Sequence, residues 1–428
     1  EGSTATDLLK NVPMVQVDID GNATIAGKRS TRVFIDGKPS DYMTSNIADL
    51  LNVLPSDAIE KIEVMTNPPV KYSADGEGII NIIMKKGFKV GFNGNAGITS
   101  SLQGNTNGNL NASYRGRNYA INGSAAYRQR EVKSYSTSLR KNFSADTSYY
   151  YDQNNQSHNQ VEGGNFKTGL DWDISKKQRL RLSTSLNLNN SDGLSAIQLN
   201  YLNQAQQLSR IRTQQNNNES SSHNFVFNTD YELKIDSTQK VSIGLTYNRN
   251  LSQAFRRMDR YISFPKYASP TLQENDNEIA NQGINLNLDY DKTIGKAHSI
   301  EMGLQYNFRE NDNDLLVNTF DFEAQVFQAN LQLTNQFFYK EHILSGYGAY
   351  RYKKNGWSVK SGFRTELTNI AFDLLSGEQH HDLKPYLSLF PNLSLSRFFN
   401  KRYTIGVAYS MRINRPRENT LNPQINNT

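Results

Sequence analysis

Cysteine is absent from all 428 residues, which removes disulfides, thiolate zinc sites and cysteine nucleophiles in one step. Any metal would have to be held by His, Asp or Glu. Equally absent is a run approaching the roughly 18 to 20 apolar residues of a spanning helix, and the mean hydropathy is −0.67. A helical membrane protein is excluded, but a barrel is not, because barrel strands are short and alternate. The opening residues Glu1-Gly2-Ser3-Thr4 carry no basic stretch followed by an apolar core, so a targeting leader is expected outside them. Charge of one sign is also scarce: 47 Lys and Arg against 41 Asp and Glu leave +6. These cations are scattered rather than gathered into the basic face a nucleic-acid partner needs.

Catalytic patterns are missing as well. His223, His298, His342, His380 and His381 show no HExxH spacing and read as solvated histidines. Glu310-Asn311-Asp312-Asn313-Asp314 has the look of a calcium loop, but Leu315 stands where the turn needs Gly. Gly27-Lys28-Arg29-Ser30 lacks the Gly-rich loop of a phosphate site and reads as a turn. No enzyme and no cofactor are expected.

What the chain does have is Asn, Gln, Ser and Tyr in abundance, arranged in two territories. From about Ala5 to Lys86, short apolar runs are separated by Gly and Asp turns, the pattern of a small α+β domain. Val15 to Ile19, Thr24-Ile25, Arg32 to Asp36, Lys61 to Met65 and Ile79 to Met84 are candidate strands. Thr44 to Leu54 has Ile47, Leu50, Leu51 and Leu54 at helical spacing, with Ser45 as N-cap and Pro55 after it.

From about Gly91 the period is two. Leu180, Leu182, Thr184, Leu186 and Leu188 oppose Arg179, Arg181, Ser183, Ser185 and Asn187, and the same split recurs along 224–233, 241–248, 283–290, 300–309 and 403–412. A soluble sandwich can also alternate, so connection lengths must decide. Short turns at Ser175 to Gln178, Asp236 to Gln239, Ile294 to Ala297, Lys353 to Asn355 and Phe399 to Lys401 alternate with long polar stretches at Asn190 to Ser220, Gln253 to Ala280 and Ala371 to Asp382, read here as loops. Transmembrane barrels have this asymmetry. Trp172, Tyr231, Tyr290, Tyr352, Trp357, Phe398 and Tyr403 lie near the short turns, as an aromatic girdle would. The fold expected is an α+β plug domain at 1–86 followed by an antiparallel transmembrane β-barrel at 87–428, with about thirteen strands present. An odd count cannot close with antiparallel pairing, so further C-terminal sequence is expected.

Five stretches resemble the plug domain of TonB-dependent outer-membrane receptors, particularly the branch common in Bacteroidetes: 7–13 (DLLKNVP), 33–39 (VFIDGKP), 54–64 (LPSDAIEKIEV), 67–72 (NPPVKY) and 76–82 (GEGIINI). The plug-motif residues so marked are Asp36, Gly37, Glu60, Glu63, Asn67, Pro68, Tyr72, Gly76, Gly78 and Asn81. Gly362 to Thr368, Arg412-Ile413-Asn414-Arg415-Pro416 and Leu421-Asn422-Pro423 resemble that branch's barrel. The resemblance implies twenty-two strands in the complete protein, a bacterial outer-membrane location, and import of an extracellular ligand through a plugged barrel.

The implied partners are TonB, outer-membrane lipid and lipopolysaccharide, and a small ligand such as a siderophore, oligosaccharide or peptide. The alternative is a barrel that transports nothing and serves as an assembly or adhesion scaffold, with a surface lipoprotein as its partner. Many such receptors carry Arg in the stretches matching 25–27 and 65–68, where it pairs with barrel carboxylates and locks the plug. Here Ala26 and Asn67 occupy them, so the lock is either absent or supplied by Lys28, Arg29, Arg32 or Lys71. The family's short energy-coupling peptide is not visible and is expected upstream of Glu1. Arg179, Arg181, Arg309, Arg364 and Arg412 alternate onto the lumen side, where they would either line a path for anionic substrates or simply solvate the wall or hold the plug.

Overall fold

The computed structural model describes residues 5–18, 23–28, 31–35, 38–39, 51, 56, 59–74, 78–84, 91–102, 104–143, 150–374, 379–399 and 403–415. In the N-terminal region a short helix α1 (Ala5–Leu9) precedes β1 (Val15–Val17), β2 (Ala23–Ile25), β3 (Thr31–Ile35), β4 (Lys38–Pro39), β5 (Ile59–Met65) and β6 (Gly78–Met84). Strands β1 and β2 pair antiparallel, and a four-stranded sheet runs in the order β4-β3-β6-β5. Strand β6 is central, parallel to β3 and antiparallel to β5. A central strand covered on both faces needs a nearly continuous apolar run, which Ile79-Ile80-Asn81-Ile82 supplies. Ile80 and Ile82 join Val33, Ile35, Leu9 and Ile25 in one core, while Ile79 points the other way onto Phe34 and Tyr72. The sequence reading placed these strands within a few residues. Ile19, Asp36 and nearly all of the Thr44–Leu54 helix lie outside the described residues; Leu51 is described, helical and fully buried.

The remainder is one antiparallel sheet. Its strands are β7 (Gly91–Ser100), β8 (Thr106–Arg115), β9 (Tyr119–Lys141), β10 (Tyr150–Asp173), β11 (Gln178–Leu202), β12 (Leu208–Lys234), β13 (Gln239–Phe264), β14 (Ala268–Ile294) and β15 (His298–Asp321). They continue with β16 (Val326–Ala329), β17 (Asn335–Lys354), β18 (Trp357–Leu374), β19 (Gln379–Asp382), β20 (Tyr386–Phe399) and β21 (Tyr403–Ser410). Consecutive strands are neighbours from β7 to β21, with β16 and β19 set beside β15 and β18 as short additions. Strands β7 and β21 are its two edges, and among the described residues no pairing joins them.

Polarity across this sheet is inverted relative to a soluble protein. Leu288, Leu304, Leu344, Leu389 and Val407 are exposed on one face (43%, 57%, 53%, 56% and 73%), whereas Asn285, Asn307, Ser345 and Thr368 are buried on the other. Apolar side chains facing outward at these exposures are what hydrocarbon solvates. The opposite face, called inner below, packs against the N-terminal region.

Four of the short turns lie where expected, and residues 400–401 of the fifth, Phe399 to Lys401, lie outside the described residues. Asn355 and Gly356 both have positive φ (52° and 79°), the conformation of a two-residue type I′ hairpin. In the turn between β12 and β13, Asp236 Oδ1 accepts from Thr238 N at 2.7 Å and Gln239 N at 2.9 Å.

The long stretches read as loops require correction. Asn190–Ser220 is the upper part of the β11–β12 hairpin, paired in register to Tyr201↔Arg210. Gln253–Ala280 is likewise the paired upper part of β13 and β14. Ladder hydrogen bonds join backbones and need no apolar face, so polar stretches continue as strand above the apolar band. In Ala371–Asp382, β18 continues to Leu374 and pairs with β19. One girdle residue is also corrected: Arg397 lies over Trp357 on the outer face, so Phe398, one residue on, belongs to the inner face.

Candidate functional site

The segment Pro68–Ala74 leaves the N-terminal sheet after β5 and lies on the inner face of β18 and β20. Pro68 is fully buried there, and Tyr72 N donates to Pro69 O at 3.1 Å to close a turn. Tyr72 stands edge-on to Phe34, with ring centroids 5.2 Å apart. Burial, with Glu63 and Glu301 adding to it, pushes its phenol up to about 12.

The sheet meets this segment with cations and amides. Arg412 Nη1 donates to Ser73 O at 3.0 Å and Nη2 to Pro68 O at 3.4 Å. Asn392 Nδ2 donates to Asn67 Oδ1 at 3.0 Å. Ile413 N donates to Ala74 O at 3.2 Å, and Ala74 N donates to Glu366 Oε1 at 3.4 Å.

Glu366 is the centre of the arrangement. Its Oε1 accepts from Arg364 Nε at 2.5 Å and its Oε2 from Arg415 Nη2 at 2.7 Å. Arg364 also donates through Nη2 to Gln305 Oε1 and Ser345 Oγ, each at 2.8 Å. The side chains of Arg364, Glu366 and Arg415 are only 1%, 1% and 8% exposed. One carboxylate thus faces two guanidiniums, with Arg412 a third cation beside the same segment. Arg412 donates to the backbone carbonyls of residues 68 and 73, which bear partial negative charge and need donors once buried. The arginines at this junction come from β18 (Arg364) and from the stretch after β21 (Arg412 and Arg415). Lys71 lies over the Tyr72 ring and Arg32 over the Phe34 ring, while Lys28 forms no ion pair among the described residues and Arg29 is outside them.

Of the ten residues marked by sequence, Asn67, Pro68 and Tyr72 are in this junction. Glu63 and Asn81 meet one another on β5 and β6, where Asn81 Nδ2 donates to Glu63 Oε2 at 3.0 Å and Lys61 Nζ to Oε1 at 2.6 Å. Glu60 is exposed. Gly78 sits under Ile25, whose Cδ1 would lie 2.8 Å from an added Cβ. Asp36, Gly37 and Gly76 lie outside the described residues. Glu366 was not singled out, although Arg364-Thr365-Glu366 at a spacing of two puts the ion pair on one strand face.

Two predictions arise here. The Lys61 ammonium, with Asn81 assisting, holds the Glu63 carboxyl below its usual range. Its contribution to stability is present above about pH 4.3 and is lost as pH falls through the lower folded value. Being partly exposed, the pair is worth under about 1 kcal/mol. Amide exchange of β5 and β6, corrected for intrinsic rates, should accelerate several-fold between pH 5 and 3, and Glu63→Gln should abolish that pH dependence.

At Gly362 an added Cβ would lie 3.0 Å from Val70 Cγ2 and 3.1 Å from Gly348 O. Gly362→Val is expected to displace the Pro68–Ala74 segment, at a cost of about 1–3 kcal/mol, and so to raise its rate of cleavage by protease.

The arginines assigned to the inner wall by alternation are neutralised. Arg179 pairs with Asp173 at 2.5 Å, Arg181 with Asp171 at 3.4 Å, and Arg309 with Glu341 at 3.9 Å. Arg364 is held by Glu366, and Arg412 donates to the N-terminal segment. Glu310, Asp312 and Asp314 lie on β15 with the parity of the outer face, not in a loop, and among the described residues no cluster has metal-ligand geometry.

Residues 246–428, less than half of the chain, match the outer membrane protein beta-barrel family. Curated proteins offer no match. Among solved structures, the unliganded ferric citrate transporter FecA is similar at 14% identity and a TM-score of 0.54, over 94% of this chain and 59% of that one. The ferric yersiniabactin uptake receptor FyuA from Yersinia pestis (10%, 0.37; 95% and 83% covered) and a mutant of the ferric enterobactin receptor PfeA from Pseudomonas aeruginosa (10%, 0.35; 95% and 90% covered) are more distant. This chain spans 59% of the FecA chain it matches. The matched stretch, the shared fold and the apolar outer face together place the chain in the outer membrane, as the wall of a β-barrel.

Proposed function

We propose that the chain is a TonB-dependent receptor and transporter in which residues 1–86 are the plug and 87–428 are barrel wall. The observation that carries this reading is the docking of Pro68–Ala74 onto the inner face through Arg412, Asn392 and Glu366. A small folded unit held inside a wide barrel blocks a lumen that would otherwise conduct water. Among the described residues it is held by polar contacts, several of them to backbone carbonyls. Such contacts are exchanged for water when the unit is pulled, so an energised pull on the plug can break them in turn without unfolding the wall. A small extracellular ligand, recognised by the upper hairpins and the plug, would pass along the wall so exposed. The ferric citrate transporter that shares the fold is consistent with a ligand of that size.

The test is capture of the full-length, detergent-extracted protein by the periplasmic domain of TonB, with heat-modifiable gel mobility as the check on folding. Capture of the folded form is expected. A folded barrel that ignores TonB would overturn the transporter reading in favour of a static scaffold.

A further inference from the structure

Above the apolar band and below the hairpin tips, where Asp321 ends β15 with inner parity, the inner wall formed by β11 to β15 is sorted by charge. Across 191–201, 210–220, 254–260, 271–279 and 311–319, every Asp and Glu has the parity of the outer face: Asp192, Glu219, Asp259, Glu274, Asp276, Glu278, Asp312 and Asp314. On the inner face of the same stretch stand Arg210, Arg212, Arg256 and Arg260, and among the described residues none of the four forms an ion pair. Their neighbour Arg257, one residue along and therefore on the outer face, pairs with Asp259 at 3.2 Å and Glu274 at 3.4 Å.

The inner arginines rest instead on neutral groups that are themselves buried and ordered. Arg256 Nη2 donates to Asn216 Oδ1 at 3.2 Å and Arg260 Nε to Gln214 Oε1 at 3.3 Å. Gln214 donates to Asn216 at 2.9 Å, which in turn donates to Ser195 Oγ at 2.9 Å. Gln214 and Asn216 are 7% and 4% exposed. Arg210 lies 3.9 Å over the ring of Tyr201. Arg256 Nε is buried with no partner. Burial, with Arg212 and Arg256 close by, holds the Arg260 guanidinium below its ordinary value. Several cations held together without a counter-charge repel one another, and a bound anion relieves this.

We infer that Arg212, Arg256 and Arg260, on the Gln214–Asn216 shelf, form a binding site for a small soluble polyanion bearing carboxylate or phosphate groups. Guanidiniums suit such oxyanions because their planar donors engage two oxygens at once. The inference rests on the receptor reading only for its direction of approach, from outside the cell into the upper lumen.

Binding of inorganic pyrophosphate and of tricarballylate to the full-length protein in outer-membrane vesicles tests it, with maltotriose as the neutral comparison. At least one anion should bind in a salt-sensitive manner and maltotriose should not. Arg256→Gln with Arg260→Gln should weaken anion binding about 100-fold, roughly tenfold per charge-assisted contact, and Arg256→Lys with Arg260→Lys should retain most of it. Arg257→Gln should have no effect, whereas loss in that variant would point to lipopolysaccharide phosphates on the outer face and overturn the site. Binding of neither anion, or equal binding by the double Gln variant with unchanged heat-modifiable mobility, would also overturn it. TonB capture measured on the same samples separates the two proposals: capture without anion binding rejects only this site, and anion binding without capture rejects only the transporter reading.

Discussion

Glu366→Ala is expected to release the Pro68–Ala74 segment from the barrel wall while leaving the wall itself folded. The substitution strands two buried guanidiniums, Arg364 and Arg415, and removes the acceptor of Ala74 N. Breaking one partner out of a buried ion pair typically costs about 3 to 5 kcal/mol, because the remaining charge stays desolvated. The wall keeps its ladder on both sides of Glu366, through Ser345 on β17 and Ser388 on β20. The loss should therefore fall on the docking contacts. Limited proteolysis of intact vesicles would show it as cleavage within 67–74 at least a hundredfold faster than in the parent, with heat-modifiable mobility retained. Glu366→Gln, which keeps the shape and one acceptor, should lie between. Cleavage at the parental rate in both variants would mean that the network does not hold the segment.

Leu304→Arg carries the second large effect. Leu304 is 57% exposed on the outer face, seven residues into β15, which at about 3.4 Å per residue and a tilt near 40° lies close to the middle of the hydrocarbon. A cation there costs about 2 to 4 kcal/mol. Its strand neighbour Gln305 faces the other way and bonds Arg364, so Gln305→Leu should disturb the inner network and leave membrane insertion alone. The folded fraction recovered from outer membranes should fall severalfold for Leu304→Arg and remain near parental for Gln305→Leu. Equal recovery of Leu304→Arg would argue that this face does not meet lipid.

How much of this could be read in advance depended on the range of the interaction. Alternation showed which residues share a face, since the two-residue period is a local property of extended backbone. The short turns were legible for the same reason: Asn355-Gly356 and Asp236 through Thr238 satisfy their own neighbours. The upper hairpins were misread as loops because their side chains are polar on both faces, and side-chain polarity was the signal in use. The ladder that holds them together is backbone, and every sequence carries it. Resemblance brought Gly362–Thr368 and Arg412–Pro416 into view, but nothing local joined them to residues 67–74.

The sequence by itself thus determined a membrane-spanning antiparallel β sheet, apolar outward, preceded by a small α+β unit, because periodicity and turn chemistry act over a few residues. Only the tertiary structure decided which arginines are spent on carboxylates and which are not. Arg181 and Arg260 look alike on a strand, each alternating onto the inner wall. One meets Asp171 from the neighbouring strand, and the other meets the neutral amide of Gln214 and the sulfur of Met258. The first pair spans a single short turn, whereas Gln214 and Arg260 are brought together across a long hairpin by strand register, which no local pattern encodes.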